Sequence, residues 1–106
     1  MSLSITTEYA PAGTTVRVSG EVDVSCAGEM RDAIDSALAA AEPASDLTVD
    51  IADVPYIDST GIGVLVGAAH RASESGVRLV VARPQRNVAR VLGLLGVGDD
   101  LHITEG

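Results

Sequence analysis

The apolar residues of this chain change their spacing from segment to segment, and that alternation restricts the fold more than any other feature. Leu3, Ile5, Thr7 and Tyr9 alternate with polar residues, the pattern of a half-buried strand. Pro11 and Gly13 mark a turn, and Val16 and Val18 resume the alternation up to Gly20, which predicts an antiparallel hairpin. From Ser25 the period lengthens. Met30, Ile34, Ala37, Leu38 and Ala41 form the stripe of an amphipathic helix, with Ser25 as its expected N-cap and Pro43 as its stop. Leu47, Val49 and Ile51 alternate again. A second helical stripe follows at Ile62, Leu65, Val66, Ala69 and Ala72; it starts near Ser59 and ends before Gly76, which suits the C′ position. Val77 to Ala82 reads as a strand, and its apolar run at Leu79, Val80 and Val81 predicts a central strand covered on both faces. Pro84 opens a third helix with the stripe Val88, Val91, Leu92 and Leu95, closed by Gly96, and Leu101 to Thr104 forms a short last strand.

The resulting order is β-β-α-β-α-β-α-β. Helices link the last three strands, so right-handed crossovers make those strands parallel. The fold class is α/β, an open mixed β-sheet with helices packed on it. Length suits a single domain over residues 1–106. With no Trp or Phe, and only Tyr9 and Tyr56 aromatic, the core must be built from Val, Leu, Ile and Ala.

Charge and cysteine content narrow the function. The formal net charge is -8, and it is uneven: residues 1–58 carry eleven acids against two Arg, residues 59–106 four acids against five Arg. Such a chain is a poor nucleic-acid binder, because phosphate contacts dominate that affinity. Arg71, Arg78, Arg83, Arg86 and Arg90 are scattered and read as solvated surface. Cys26 is the single cysteine, so neither an internal disulfide nor a metal site rests on it. Met1 to Tyr9 lacks the basic-then-apolar pattern of a signal peptide. The longest uncharged apolar stretch, near Ile62 to Ala69, is far short of the ~20 residues a membrane helix needs. The expectation is a cytoplasmic protein without direct membrane insertion.

In open α/β sheets, sites gather at the carboxyl ends of parallel strands. Three loops leave such ends: Gly20-Glu21-Val22-Asp23, the segment Asp53 to Ser59, and Arg83-Pro84. They share one face if the second strand runs parallel to the third. The middle loop ends in Asp58-Ser59-Thr60 before an apolar helix. The plain reading is that one of these three caps the helix, which is worth ~1 kcal/mol. Gly61 and Gly63 in the first turn ask for more, since each costs up to ~1 kcal/mol relative to Ala. A helix N-terminus also tolerates an anion, so a phosphate on Ser59 would be accommodated locally. Gly61-Ile62-Gly63 through Gly67 is a poor dinucleotide fingerprint, because a long loop separates Ile51 from Ser59 and Arg83 stands where an acid is expected. Asp50, Asp53 and Asp58 could gather at one strand end and hold a divalent metal, although solvated loop acids are the plainer reading. His70 and His102 support no catalytic triad, so no catalytic residue, metal site or cofactor is assigned.

Gly20-Glu21-Val22-Asp23 followed by Asp58-Ser59-Thr60-Gly61-Ile62-Gly63 resembles the signature of bacterial anti-sigma factor antagonists, the STAS domain family. The likeness runs on through Val64 to Gly67 and, in element order, over nearly the whole chain. It implies partner switching. The unphosphorylated protein binds an anti-sigma factor that is also a serine kinase, and so frees a sigma factor. Phosphorylation ends binding, and a separate serine/threonine phosphatase restores it. By position, Ser59 is the phosphoacceptor, Thr60 a less favoured one, and Asp23, Asp58, Ser59, Thr60 and Gly61 form the partner-binding set. Many relatives continue into a further C-terminal helix, whereas this sequence ends at Gly106. The same signature also resembles STAS accessory subunits of membrane transporters, the alternative role. A nucleotide-binding enzyme is the third reading.

Overall fold

The computed structural model describes residues 3–94 and 101–104. It contains the expected order: β1 (Ser4–Ala10), β2 (Gly13–Ser19), α1 (Ala27–Ala39), β3 (Asp46–Asp53), α2 (Ser59–Glu74), β4 (Arg78–Ala82), α3 (Arg86–Leu94) and β5 (His102–Thr104). Leu95 and Gly96, expected to close the third helix, lie outside the described residues. The strands form one sheet in sequence order, β1-β2-β3-β4-β5. β1 pairs antiparallel with β2, and each later strand pairs parallel with its predecessor. β2 thus runs parallel to β3, which puts the three loops on one end of the sheet.

Each crossover steps one strand in the same direction, so right-handed connections place α1, α2 and α3 on one face. The core agrees. Val16 and Val18 of β2, Leu47, Val49 and Ile51 of β3, and Leu79 and Val81 of β4 pack with Met30 and Ile34 of α1, Ile62 and Leu65 of α2, and Val88 and Leu92 of α3. Burying each such aliphatic side chain is worth about 1.5–3 kcal/mol. The α2 stripe is shifted from expectation in its middle: Ala68 is buried, while Val66 and Ala69 are only partly so. Helix α2 ends at Glu74 and is followed by Gly76 at φ 73°, as a left-handed C-terminal residue requires.

β4 is buried on both faces, as expected, but among the described residues helices pack on only one of them. Val80 and Ala82 are buried yet stand outside the core cluster, on the face that carries no helix. Val80 is paired in register with Thr48 and His102 and is 6% exposed. That open face is otherwise polar. Asp50 is only 6% exposed there and is held between Arg17 and Arg83. Arg17 also pairs with Glu8. Arg83 is therefore no free surface cation, and Arg71 and Arg78 pair with Asp35 and Asp46.

Burial pushes the Asp50 carboxyl pKa up, but the Arg83 hydrogen bond, the Ala52 N–H at 3.0 Å and the charges of Arg83 and Arg17 outweigh it. The net position is below the ordinary carboxylate value. A depressed folded pKa stabilises above the unfolded value of about 3.9 and is lost as pH falls through the folded one. Wild type should therefore lose an increment of stability on acidification below about pH 4 that Asp50→Asn does not lose. At neutral pH the variant should be less stable by about 1 kcal/mol, small for a broken buried pair because both Arg partners are half exposed. Urea unfolding across that pH range checks both.

Candidate functional site

The β3–β2 pairing carries an extra residue on β3, since Arg17 pairs with Asp50 but Ser19 with Asp53. Beyond this irregularity the two chains stay together. Gly20 N–H donates to Asp53 O at 3.1 Å and Val22 N–H to Tyr56 O at 2.9 Å, and Asp58 N–H returns to Val22 O at 3.0 Å. Val22 and Ile57 form an isolated parallel bridge. The β2–α1 and β3–α2 loops are thus one hydrogen-bonded unit rather than two independent segments.

Asp58 joins them a second time. Of the three candidate caps it is the one used: its Oδ1 accepts the Gly61 N–H at 3.1 Å, satisfying an N–H that the first turn leaves free. Its Oδ2 accepts the Val24 N–H at 3.1 Å. Asp58→Ala should cost about 1–2 kcal/mol, the upper range of a lost cap, because a second loop is released with it. Chemical denaturation of the variant checks this.

Ser59 is the first residue of α2 and is exposed, as is Thr60. With the cap made by Asp58, the Ser59 hydroxyl is left to solvent, at the helix end where the dipole favours negative charge. Gly61 is buried beneath them. A Cβ built there would stand 2.6 Å from Val22 Cγ1 and 2.7 Å from Ile57 Cγ1, so only glycine fits under the bridged loops. At Gly63 a Cβ would meet nothing within 4 Å. Packing explains the first glycine and not the second.

Asp23 organises its own loop. Its Oδ1 accepts from Ser25 N–H at 2.9 Å and Ser25 Oγ at 2.5 Å, and its carbonyl accepts from Cys26 and Ala27 N–H. The Ser25 side-chain bond, then the Ser25 N–H, hold the Asp23 carboxyl below its ordinary pKa. Ser25 is therefore not the N-cap of α1. Cys26 occupies that position without a side-chain capping bond, and the Ser25 hydroxyl is engaged with Asp23. Cys26 is buried, its thiol donating to Glu21 O at 3.1 Å.

The third loop braces the second. Gln85 Nε2 donates to Ala52 O at 2.9 Å and Asn87 Nδ2 to Pro55 O at 2.6 Å. Sequence reading missed these two residues, as it missed Val24 and Tyr56, which stand exposed beside Asp58. Side-chain amides just after a strand end at a shared loop face were the available signal for Gln85 and Asn87. Nothing in the sequence distinguishes an exposed loop Val from a buried one. Asp50, Asp53 and Asp58 do not gather: Asp50 faces Arg17 and Arg83, and Asp58 caps α2. Among the described residues no three His, Cys, Asp or Glu side chains group to hold a metal, and no helix is long and apolar enough to cross a membrane. His70 and His102 are both exposed, the one on α2 and the other on β5.

Known proteins resemble this chain in sequence and in fold. The anti-sigma-B factor antagonist of Staphylococcus epidermidis is 29% identical over 106 residues, covering 100% of this chain and 96% of its own. The anti-sigma factor antagonist SpoIIAA of Bacillus has the same fold in two solved forms. The unphosphorylated form superposes with a TM-score of 0.75 at 20% identity, covering 94% of this chain and 87% of that one. The phosphorylated form gives 0.70 at 19%, covering 94% and 90%. The family model for Mlab, STAS domain, matches residues 5–105, and the chain belongs to the STAS domain family.

Proposed function

We propose that this protein is an anti-sigma factor antagonist switched by phosphorylation of Ser59. Its unphosphorylated form binds an anti-sigma factor that is also a serine kinase, which releases a sigma factor. Phosphate on Ser59 ends that binding, and a serine/threonine phosphatase restores it. Asp23, Asp58, Ser59 and Thr60 form the partner face, with Gly61 setting the height of the helix end beneath them. The role is binding rather than catalysis, and it is performed in the cytoplasm.

The observation that carries this reading is the exposed Ser59 hydroxyl, freed from capping by Asp58 at the first position of α2. A kinase needs such a hydroxyl accessible, and the helix end tolerates the product. The named relatives support it: one, an anti-sigma-B factor antagonist, is matched over 96% of its length, and SpoIIAA has been solved in unphosphorylated and phosphorylated forms with a similar fold.

The test is phosphorylation by native cell extract with labelled ATP. Wild type is expected to take label at Ser59 and Ser59→Ala to take none. Label retained by Ser59→Ala and lost by Thr60→Ala moves the acceptor to Thr60. Label absent from wild type sinks the switch.

A further inference from the structure

We propose that Val24 and Tyr56 are the apolar anchors of the partner interface, and that the partner presents there an apolar pocket rimmed by Arg or Lys. This rests on the antagonist reading above. Val24 is 75% exposed and Tyr56 49%, and among the described residues only Tyr9 and Leu94 are other large apolar side chains so placed. Val24 and Tyr56 stand on the two loops that Asp58 ties together. Val24 is pinned through its own N–H to Asp58 Oδ2 at 3.1 Å, and Tyr56 through its carbonyl to Val22 N–H at 2.9 Å. Asn87 fixes the carbonyl of Pro55, the residue before Tyr56.

Two exposed apolar side chains on a braced backbone are suited to binding. The main chain loses little freedom on association, and Val and Tyr have few rotatable bonds to freeze. Small clusters of this kind, with Tyr prominent, carry most of the energy in many interfaces. Charge identifies the occupant. Glu21, Asp23, Asp53 and Asp58 lie on or beside the same two loops, and none of these forms an ion pair among the described residues. Of the other described acids, Glu8, Asp32, Asp35, Asp46 and Asp50 face an Arg, while the unpaired Glu29, Glu42 and Glu74 lie on or just after helices α1 and α2, outside these loops. A basic rim on the partner complements the loop acids and speeds encounter. In the proposed complex a phosphate on Ser59 would be a dianion taken out of water against the apolar pocket, which offers it no counter-charge.

The probe is the anti-sigma kinase retained by wild type from native extract, then purified. Its affinity is measured for wild type, Tyr56→Ala, Val24→Ser and Ser59→Asp. Tyr56→Ala is expected to weaken binding about thirtyfold and Val24→Ser about tenfold, with thermal midpoints close to wild type. Association should slow about tenfold from low to high salt. Affinities of both anchor variants within about threefold of wild type, alongside loss by Ser59→Asp, overturn the anchors and leave the switch standing. Loss by Tyr56→Ala with retention by Ser59→Asp does the reverse. A dimer of this chain that Tyr56→Ala dissociates gives the patch to a second copy and overturns the proposal. Failure of wild type to retain any such kinase removes the reading and the anchors with it.

Discussion

Gly61→Val is expected to lower stability by about 3 kcal/mol, a severe loss for a domain of this size. The first carbon of the new side chain would lie 2.6 Å from Val22 Cγ1 and 2.7 Å from Ile57 Cγ1. Neither neighbour can yield easily. Val22 is fully buried, Ile57 is 3% exposed, both are branched at Cβ, and their backbones are bridged to each other. The strain must therefore push α2 away from the loops, which lengthens the Asp58 contacts to Gly61 and Val24. Gly61→Ala meets the same atoms, partly offset by a helix-propensity gain of up to ~1 kcal/mol, for a net loss of about 1–2 kcal/mol. Gly63→Ala is the control: with open space around it, the gain stands alone and stability should rise by about 0.5–1 kcal/mol. Urea midpoints at unchanged slope would report all three. A neutral Gly61→Ala would show that the loops move freely over the helix, and the braced site would have to be abandoned.

The element order, and with it the strand ends where the candidate loops meet, was legible in the sequence because an aliphatic core leaves a clear periodic record. Met30, Ile34, Leu65 and Val88 could be placed on helix stripes, and Val16, Val49 and Val81 on strands, before any contact was known. Errors fell where tertiary contacts override a local pattern. Ser25 has the chemistry of a cap, but Asp23 claims its hydroxyl. The run through Val80 reads as a strand with helices on both sides, but right-handed steps in one direction put the described helices on one face. Asp50 looked like a loop acid beside Asp53, yet it lies inside β3, in register with Arg17 and Ala82, where alternation with Val49 and Ile51 puts it on the polar face with Arg83. The loop-to-loop bonds from Asp58, Gln85 and Asn87 span some thirty residues each, and no local period records them.

Ser59→Asp should bind the anti-sigma kinase about a hundredfold more weakly while folding as well as wild type. The two halves of that statement come from the same geometry. Ser59 opens α2, where the helix dipole favours a carboxylate by about 0.3–1 kcal/mol, so the thermal midpoint should hold or rise slightly. In the complex the same carboxylate must leave water beside the Asp58 carboxylate, and Asp58 already has both oxygens committed to N–H groups within its own chain. An unpaired interfacial charge of this kind costs ~3 kcal/mol, which is the hundredfold. Phosphate, at about -1.5 to -2 charge, should act more strongly still. Ser59→Ala, which removes the acceptor without adding charge, should bind like wild type and resist inactivation by ATP. Calorimetric titration of the kinase with the three proteins, beside their melting curves, separates the possibilities. Undiminished binding by Ser59→Asp would reduce Ser59 to an exposed helix residue and leave Asp58 as the functional centre of the loop. A fall in binding matched by a fall in melting temperature would instead show that charge at this helix end acts through the fold, contrary to a switch that needs no rearrangement.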